Sequence, residues 1–474
     1  MAKEQIRSES STKDDTPTEM TLRQRMVAFL LLGTGFMLSV DFSILNVALP
    51  QVGAAVGLDL SNLPWVATAY ALPAAGFTLL FGRIADLYGR RRMFLIGIGL
   101  LAISSLIGGF AQSPELLLMA RAMQGLATAI ATPAALSLLI TSFSDENQRA
   151  RVLGFNGALL SGGFAVGALI GGALVGVLSW RWAFLINVPV AMIILAVTPF
   201  VIPASSAPTG VKLDIPGAVT VTLGLLSFVF GITNQNIYAL IVGVILLTAF
   251  WMIELRVKEP LVALNILRRP KVKWGNLALL VVFSMEPAMI YLMTLYLQDV
   301  LRFAPMQTGL IFGVPGMASV VAGIVAGRFI ARHGARNVLT VGLLVQGAFT
   351  APLILLGAGT AWLWLLIPAL FVGFFGHVTA IVASMVTATS DVADSEQGLA
   401  TGLATMTQQV ALTVGIPILG AIMVTRADLL SGIHLALAVN VGLTAIAIAL
   451  IWIGLRPDYD GDQPNQLIKG PAGA

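Results

Sequence analysis

The sequence contains no cysteine, only three histidines and few charged residues. Without cysteine the chain can form neither a disulfide framework nor a thiolate site, and three histidines without cysteine offer no zinc-binding cluster. Charged residues make up 11% of the 474 positions, against about a quarter in soluble globular proteins. The sequence also lacks a G-x-x-x-x-G-K-[ST] phosphate loop and a recognisable catalytic nucleophile motif. We therefore predict a protein that is not an enzyme, does not use ATP, and needs no metal or cofactor.

Hydrophobic residues, in contrast, make up 57% of the chain. They form runs long enough to cross a hydrocarbon core of about 30 Å as helices. The predicted spans are 26–49, 64–81, 93–111, 116–141, 151–178, 183–202, 215–234, 238–255, 276–298, 308–330, 338–358, 362–388, 398–424 and 434–455. These spans predict an all-α, multi-pass membrane protein of fourteen helices in groups of six, two and six.

The grouping predicts five regions along the chain. They are a disordered tail (1–24), a six-helix bundle (25–203), two inserted helices (204–260), a second six-helix bundle (261–456) and a C-terminal tail (457–474). If the N-terminus is inside, inner segments hold 23 of the 27 Lys and Arg residues and outer loops hold three. This bias predicts that both termini are cytoplasmic. It also accounts for the net charge of +4 without a nucleic-acid partner.

A short basic stretch occurs twice, at Gly82–Arg91 and again 245 positions later at Gly327–Arg336. Each copy is predicted to be a tight, glycine-containing loop between two hydrophobic helices, and the repetition indicates a duplicated bundle. The first copy resembles the signature between helices 2 and 3 of the major facilitator superfamily, although Leu87 stands where the family usually has a basic residue. The resemblance implies a gate that locks one face of the bundle, formed by Gly82, Asp86, Gly89, Arg90 and Arg91.

The fifth predicted span carries a ladder of glycines. A glycine in a helix interior costs about 1 kcal/mol, so five of them point to close approach of a partner helix. The spacing is similar to the antiporter motif of exporters in this superfamily, with Ala168 where the family usually has proline. The motif residues are Gly154, Gly163, Gly167, Ala168, Gly171 and Gly172.

Three ionisable residues lie deep in predicted spans, where such groups are functional candidates. The segment around Asp41 resembles the helix-1 motif of drug:proton antiporters, and Arg121 matches a helix-4 arginine that the family links to proton transfer. Glu286 stands alone in its span, followed by Pro287. We predict proton coupling by these three residues. The alternatives are a structural Asp41–Arg121 ion pair, a Glu286 nearer the membrane interface, and His377 as an ordinary core histidine.

Three further segments resemble the 14-span EmrB/QacA-like branch of the superfamily: Trp180–Pro189, Asp214–Gly217 and Tyr296–Leu301. The resemblance implies the major facilitator fold and a proton-coupled exporter of hydrophobic, cationic, drug-like compounds, working by alternating access in a bacterial cytoplasmic (inner) membrane. The proton gradient would supply the energy. We expect a monomer, and the need for a periplasmic adaptor stays open. The predicted substrate-lining residues are Phe42, Asn46, Met123, Gln124 and Tyr291.

Two other functions remain open from the sequence. The same fold can export an endogenous metabolite, an antibiotic or a lipid. A membrane sensor or assembly partner that has lost transport is a second alternative, and import is disfavoured by the glycine ladder.

Overall fold

The computed structural model describes residues 20–143, 145–203, 214–257, 264–392 and 396–455. Over these ranges the regular elements are helical, and none is a strand. The α-helices are α1 (Leu22–Val56), α2 (Pro64–Tyr88), α3 (Arg90–Gly109), α4 (Pro114–Ser142), α5 (Glu146–Val177), α6 (Trp182–Leu185), α7 (Asn187–Val201), α8 (Ile215–Thr233), α9 (Ile237–Glu254), α10 (Pro270–Leu295), α11 (Pro305–His333), α12 (Ala335–Thr350), α13 (Leu363–Ala388), α14 (Gln397–Met423) and α15 (Leu429–Gly454).

Local capping explains where several helices begin. Thr21 and Gln24 form a reciprocal capping box at the start of α1, which satisfies backbone N–H groups that have no partner within the helix. The predicted end of the N-terminal tail at residue 24 therefore lies inside α1. At α15 the backbone N–H of Ser431 donates to Asp428 over 2.8 Å, and this hydrogen bond lowers the pKa of the Asp428 carboxyl.

Twelve helices in the described part of the chain are long and apolar enough to span a membrane. The bent α2 is a thirteenth candidate. The fourteenth span predicted from the sequence, 151–178, falls on α5, and the described part of that helix includes the shorter apolar stretch Val166–Val177. The predicted turn between the fifth and sixth spans is confirmed, because α5 ends at Val177 and α6 begins at Trp182.

The repeated basic stretch forms two helix–glycine–helix turns. Gly89 joins α2 to α3 with φ of +98°, and Gly334 joins α11 to α12 with φ of +79°. These left-handed conformations favour glycine because it has no Cβ. The turns are shorter than predicted: Gly82 belongs to α2 and Arg90 already begins α3. Each helix pair thus meets at a single residue, 245 positions apart in the two halves.

The hydrophobic core differs between the two ends of the bundle. We call the end where α1 passes into α2 the Gly57 end, and the opposite end the Gly89 end. One buried cluster contains residues of both halves; it includes Leu45, Leu49, Leu117, Tyr291, Leu295 and Leu437. Toward the Gly89 end, apart from one cluster that α8 shares with both halves, the clusters are separate, with Phe94 and Leu138 in the first half and Leu339 and Ala447 in the second. The halves are therefore packed together at the Gly57 end.

The inserted helix α8 packs against both halves, and α9 packs against α8. Leu72 of α2, Val221 and Leu225 of α8, and Leu403 of α14 share one buried cluster. The Thr222 hydroxyl also donates to the Gly76 carbonyl oxygen over 2.9 Å. The insertion is thus part of the folded bundle and bridges α2 and α14.

The glycine ladder of α5 allows two neighbouring helices, α1 and α11, to approach closely. A Cβ on Gly163, Gly167 or Gly171 would lie within 2.9 Å of α1 atoms, including Ile44 Cα beside Gly171. An adjacent face of α5 contains Ala168 and Gly172. These two residues approach Gly309 of α11 in the other half. The predicted close helix approach is confirmed for these positions. The surroundings of Gly154 lie outside the described residues.

Candidate functional site

Asp41 and Arg121 form a buried ion pair in the first half of the molecule. Asp41 lies in the middle of α1, and its Oδ2 is 3.7 Å from Nη1 of Arg121 on α4. The side chains are only 2% and 1% exposed. The other oxygen, Oδ1, accepts a short hydrogen bond from Asn187 at the start of α7. Oδ2 has no hydrogen-bond partner among the described residues, so one carboxylate oxygen remains open to a proton.

Arg121 is fixed by several neighbours besides Asp41. Its Nε donates to the Val66 carbonyl oxygen over 3.0 Å, and its Nη1 donates to Oε1 of Gln124 over 2.8 Å. The guanidinium lies 4.4 Å from the centre of the Tyr70 ring. Gln124 in turn donates to Ser105 over 3.0 Å. The guanidinium is therefore held by contacts that do not involve Asp41.

A second acid–base pair lies in the other half. Oε2 of Glu286 on α10 is 3.4 Å from Nε2 of His377 on α13. Both side chains are buried, which places Glu286 in the interior. Nδ1 of His377 has no hydrogen-bond partner among the residues the structure describes. The ring of Phe374, one turn away on α13, packs 5.9 Å from the His377 ring.

A small cavity of about 10 Å³ lies between the two halves. Its walls include Ser43, Asn46, Ala168, Ile290, Phe312 and Phe374. On α1 this lining begins two residues beyond Asp41, and on α10 it lies four residues beyond Glu286, so both acids lie within about one helical turn of the cavity. A space of this size holds about one water molecule. It marks the point at which the two halves close over the acids.

The predicted substrate-lining residues occupy different environments. Phe42 is half-buried and packs against Tyr70 with ring centres 6.2 Å apart. Asn46 lines the small cavity, and Met123 is half-buried on α4. Gln124 is fully buried within the Arg121 network. The buried Tyr291 hydroxyl has no hydrogen-bond partner within the described ranges. The structure thus places Gln124 beside the ion pair.

The two copies of the basic stretch make different contacts. In the first, Nε and Nη2 of Arg90 both lie 2.9 Å from Oδ1 of Asp86. In the second, alanines occupy the equivalent positions 331 and 335. The second copy is instead anchored by Arg336, which donates to the Trp452 carbonyl oxygen over 3.1 Å and lies 4.0 Å from the centre of that ring. The acid–base pair of the gate is present in the first copy alone.

A glutamine pair connects the halves at the Gly57 end. Nε2 of Gln298 donates to the Val47 carbonyl oxygen over 2.9 Å, and Nε2 of Gln51 donates to Oε1 of Gln298 over 2.8 Å. Gln298 lies in a π-helical turn, Tyr296–Val300, that extends α10. Such turns occur frequently at functional sites. The segment Tyr296–Leu301, noted in the sequence for its resemblance, therefore forms part of the contact between halves.

Three contributors to the Asp41 network were not predicted from the sequence. They are Asn187, Ser105 and Tyr70, which lie on three different helices. Asn187 lies within the Trp180–Pro189 segment noted in the sequence for its resemblance, as a polar residue at the start of an apolar run. Ser105 and Tyr70 gave no such signal, since single serines and tyrosines are common in membrane helices.

The family model of the Major Facilitator Superfamily matches residues 31–416 of the chain. Among curated proteins, the puromycin resistance protein pur8 of Streptomyces alboniger is 32% identical, over 90% of this chain and 90% of its own length. The cephamycin export protein CmcT of Amycolatopsis lactamdurans is 33% identical, over 89% and 88%. The chain is therefore similar, over nearly its whole length, to bacterial antibiotic resistance and export proteins.

Solved structures share the fold at low sequence identity. A mutant of the nucleoside transporter NupG superposes with a TM-score of 0.63 at 13% identity, covering 92% of this chain and 99% of that protein. The human organic anion transporter MFSD10 gives a TM-score of 0.60 at 17% identity, covering 91% and 100%. The family-model match over residues 31–416 and the two curated relatives, together with the spanning helices, show that the chain belongs to the Major Facilitator Superfamily and is a multi-pass membrane transporter, not an enzyme.

Proposed function

We propose that the protein is a proton-coupled exporter of hydrophobic, cationic, drug-like compounds. The observation that carries this proposal is the buried Asp41–Arg121 pair, in which one carboxylate oxygen lies 3.7 Å from the guanidinium without a hydrogen bond. A charge buried in a membrane protein is costly and usually serves transport. The antibiotic resistance and export proteins named above support the export direction.

The coupling step follows from the charges of the pair. A proton from outside neutralises Asp41 and releases its attraction to Arg121, while Val66 and Gln124 keep the guanidinium in place. An unprotonated carboxylate beside the Tyr70 and Phe42 rings attracts a lipophilic cation. Proton and cation therefore compete for the same negative charge, and entry of the proton displaces the substrate outward.

The orientation completes the proposal. Counting α2 and α5 with the twelve other spanning helices gives fourteen crossings and puts both termini in the cytoplasm, as the Lys and Arg distribution predicts. The Gly89 end then faces the cytoplasm and the packed Gly57 end faces outward, which corresponds to an inward-facing state. The proton gradient is the energy source, and the protein acts as a monomer.

The test uses everted membrane vesicles, an imposed proton gradient and a fluorescent lipophilic cation. Asp41→Asn should abolish proton-driven uptake, because the amide cannot bind and release the proton. Asp59→Asn is the matched control, since Asp59 lies in the α1–α2 connection and accepts hydrogen bonds from Ser61 and Asn62. If Asp41→Asn and Glu286→Gln both leave uptake intact, the coupling assignment is wrong.

A resistance profile across dyes, quaternary ammonium compounds and antibiotics then defines the substrates.

A further inference from the structure

The internal duplication relates Asp41 to Glu286. The offset of 245 positions that separates Gly89 from Gly334 also separates these two acids. The same offset carries Arg90, the start of α3, onto Ala335, the start of α12. Asp41 and Glu286 therefore occupy equivalent positions on the first helix of each half. Each acid faces a base on the fourth helix of its own half, Arg121 on α4 and His377 on α13.

The two bases, unlike the two acids, do not occupy equivalent positions in the duplicated halves. The position that corresponds to Arg121 is Leu366, and His377 lies 11 residues further along α13. This distance is about three helical turns. Because α4 and α13 both begin at the Gly57 end, Arg121 approaches its acid from that end, whereas His377 comes from nearer the Gly89 end. The second pair is thus an independent arrangement around a duplicated acid.

The two bases also differ in chemistry. A guanidinium stays charged under all physiological conditions, so the first pair changes its net charge only through Asp41. An imidazole gains and loses its proton in the physiological range. Nδ1 of His377 is buried without a hydrogen-bond partner in the described part of the chain, which leaves a lone pair or an N–H free for a proton or for a polar group of the substrate.

We infer that Glu286 and His377 form a second proton-binding site, in which His377 takes up the proton while Glu286 balances its charge. The inference rests on the proposed function and adds a proton to its cycle. The proton comes from water on one side, resides on the imidazole while Nε2 faces the Glu286 carboxylate, and returns to water on the other side. No bond other than N–H forms or breaks, and the pair passes from net negative to neutral.

The other titratable groups on the surrounding helices lie mainly near the helix ends. On helices α1 and α10 to α15, with the described segments that adjoin them, these groups are Arg23, Arg25, Asp41, Asp59, Arg268, Arg269, Lys271, Lys273, Tyr291, Tyr296, Asp299, Arg302, Arg328, Arg332, His333, Arg336, Asp391, Glu396, Arg426, Asp428 and His434. Of these, Asp41 and Tyr291 lie at a depth near that of the pair, and Tyr291 is its neighbour on α10. Glu286 is therefore the acid that sets the charge of His377.

The direct test is NMR of imidazole-¹⁵N-labelled protein in lipid nanodiscs between about pH 5 and pH 9. The chain has three histidines, and the His377 signal is the one that disappears in His377→Gln. We expect this signal to change with pH in the unmodified protein and to depend on pH differently in Glu286→Gln, since the anion that balances the charged imidazole is lost. If His377→Gln does not fold, the His377 signal is assigned by elimination, because His333→Gln and His434→Gln each remove one of the other two histidine signals. A His377 signal that does not titrate, or that Glu286→Gln leaves unchanged, would overturn the inference.

The transport test measures protons moved per substrate in proteoliposomes. His377→Arg replaces the imidazole with a guanidinium that stays charged, like Arg121 in the first half. We expect the number of protons moved per substrate to fall by about one, while substrate export continues through Asp41. His333→Gln is the control, because His333 is an exposed residue at the end of α11. An unchanged ratio of protons to substrate in His377→Arg would contradict this inference but not the proposed function. Absence of proton-driven export in the unmodified protein contradicts the proposed function, and the NMR titration still decides the second site.

Discussion

At the scale of single residues, the charge of Asp41 is balanced by side chains from two other helices, Arg121 on α4 and Asn187 on α7. Removing one partner of a buried ion pair leaves the other charge unpaired and typically costs about 3–5 kcal/mol. Removing both partners together costs much less, because no charge remains to be solvated. The double variant should therefore be stable enough for its export to be measured, and export separates a structural pair from a coupling pair.

Arg121→Gln alone should therefore lower the free energy of unfolding by about 3–5 kcal/mol. The double variant Asp41→Asn/Arg121→Gln should recover most of this loss, and thermal unfolding in detergent micelles measures both values. If the pair couples protons, the stable double variant does not export. Normal export by the double variant would show that the pair is structural, the alternative that the sequence left open.

The sequence identified both members of this pair because charges in apolar spans are rare. It did not identify Asn187, which is 146 positions from Asp41. A neutral side chain in a membrane helix becomes informative only when the packing of the helices shows what it faces. The same limit applies to Gln124, predicted as a substrate contact and found bonded to Arg121.

At the scale of elements, α5 shows why the glycine ladder contains two neighbouring rows. Gly163, Gly167 and Gly171 follow one another at intervals of four and face α1. Ala168 and Gly172 form the adjacent row and face α11 of the other half. One row thus holds a half together, while the other lies at the contact between the halves.

Gly171→Ala should destabilise the protein by about 1–3 kcal/mol, because its Cβ would lie 2.9 Å from the Ile44 Cα atom and backbone must shift. Gly162→Ala is the matched control on the same helix, since a Cβ there meets nothing within 4 Å. It should be neutral or slightly stabilising, because alanine favours helix more than glycine. Equal unfolding temperatures for the two variants would contradict this account of the ladder.

The two helix–glycine–helix turns should respond differently to substitution. Asp86→Asn removes a partly exposed pair with Arg90, so the free energy of unfolding should change by no more than about 0.5 kcal/mol. Export should nevertheless fall several-fold if this pair controls the gate. Ala331→Ser changes the equivalent exposed position and should leave export unchanged. Equal effects on export at the two positions would contradict the asymmetry.

The sequence predicted most elements of the fold from apolar runs and from the repeated stretch. It placed the repeated turns and the turn before Trp182 correctly, because glycine and interfacial aromatic residues mark them. It predicted a longer turn at Gly82–Arg91, where the structure has helix on both sides of Gly89. A polar segment at a membrane surface can continue as helix, so a change in polarity does not locate the helix end.

At the scale of the whole molecule, the halves are packed together at the Gly57 end. The sequence could not predict this packing, because apolar runs mark the spans without showing at which end the helices of the two halves meet. Gln51 and Gln298 add polar contacts to the closed end. They are therefore suited to influence the balance between the two states.

Gln298→Ala should shift this balance toward opening of the Gly57 end, because it removes the hydrogen bonds to Gln51 and Val47. The chain has no cysteine, so single cysteines introduced near Gly57 report opening through their labelling rate. We expect faster labelling by about two- to tenfold, from the loss of roughly 0.5–1.5 kcal/mol. Gln408→Ala is the control, since Gln408 contacts Met385 within its own half. An unchanged rate would show that the glutamines do not hold this end closed.

The shared apolar cluster at the Gly57 end has a thermodynamic consequence. Opening that end separates residues such as Leu45 and Leu295 and exposes apolar surface to the water of the transport path. Hydration of apolar surface raises the heat capacity, so the enthalpy of opening must vary with temperature. Because apolar association weakens on cooling, lower temperature should increase the population that is open at the Gly57 end. The same cluster that closes the molecule thereby makes its conformational balance sensitive to temperature.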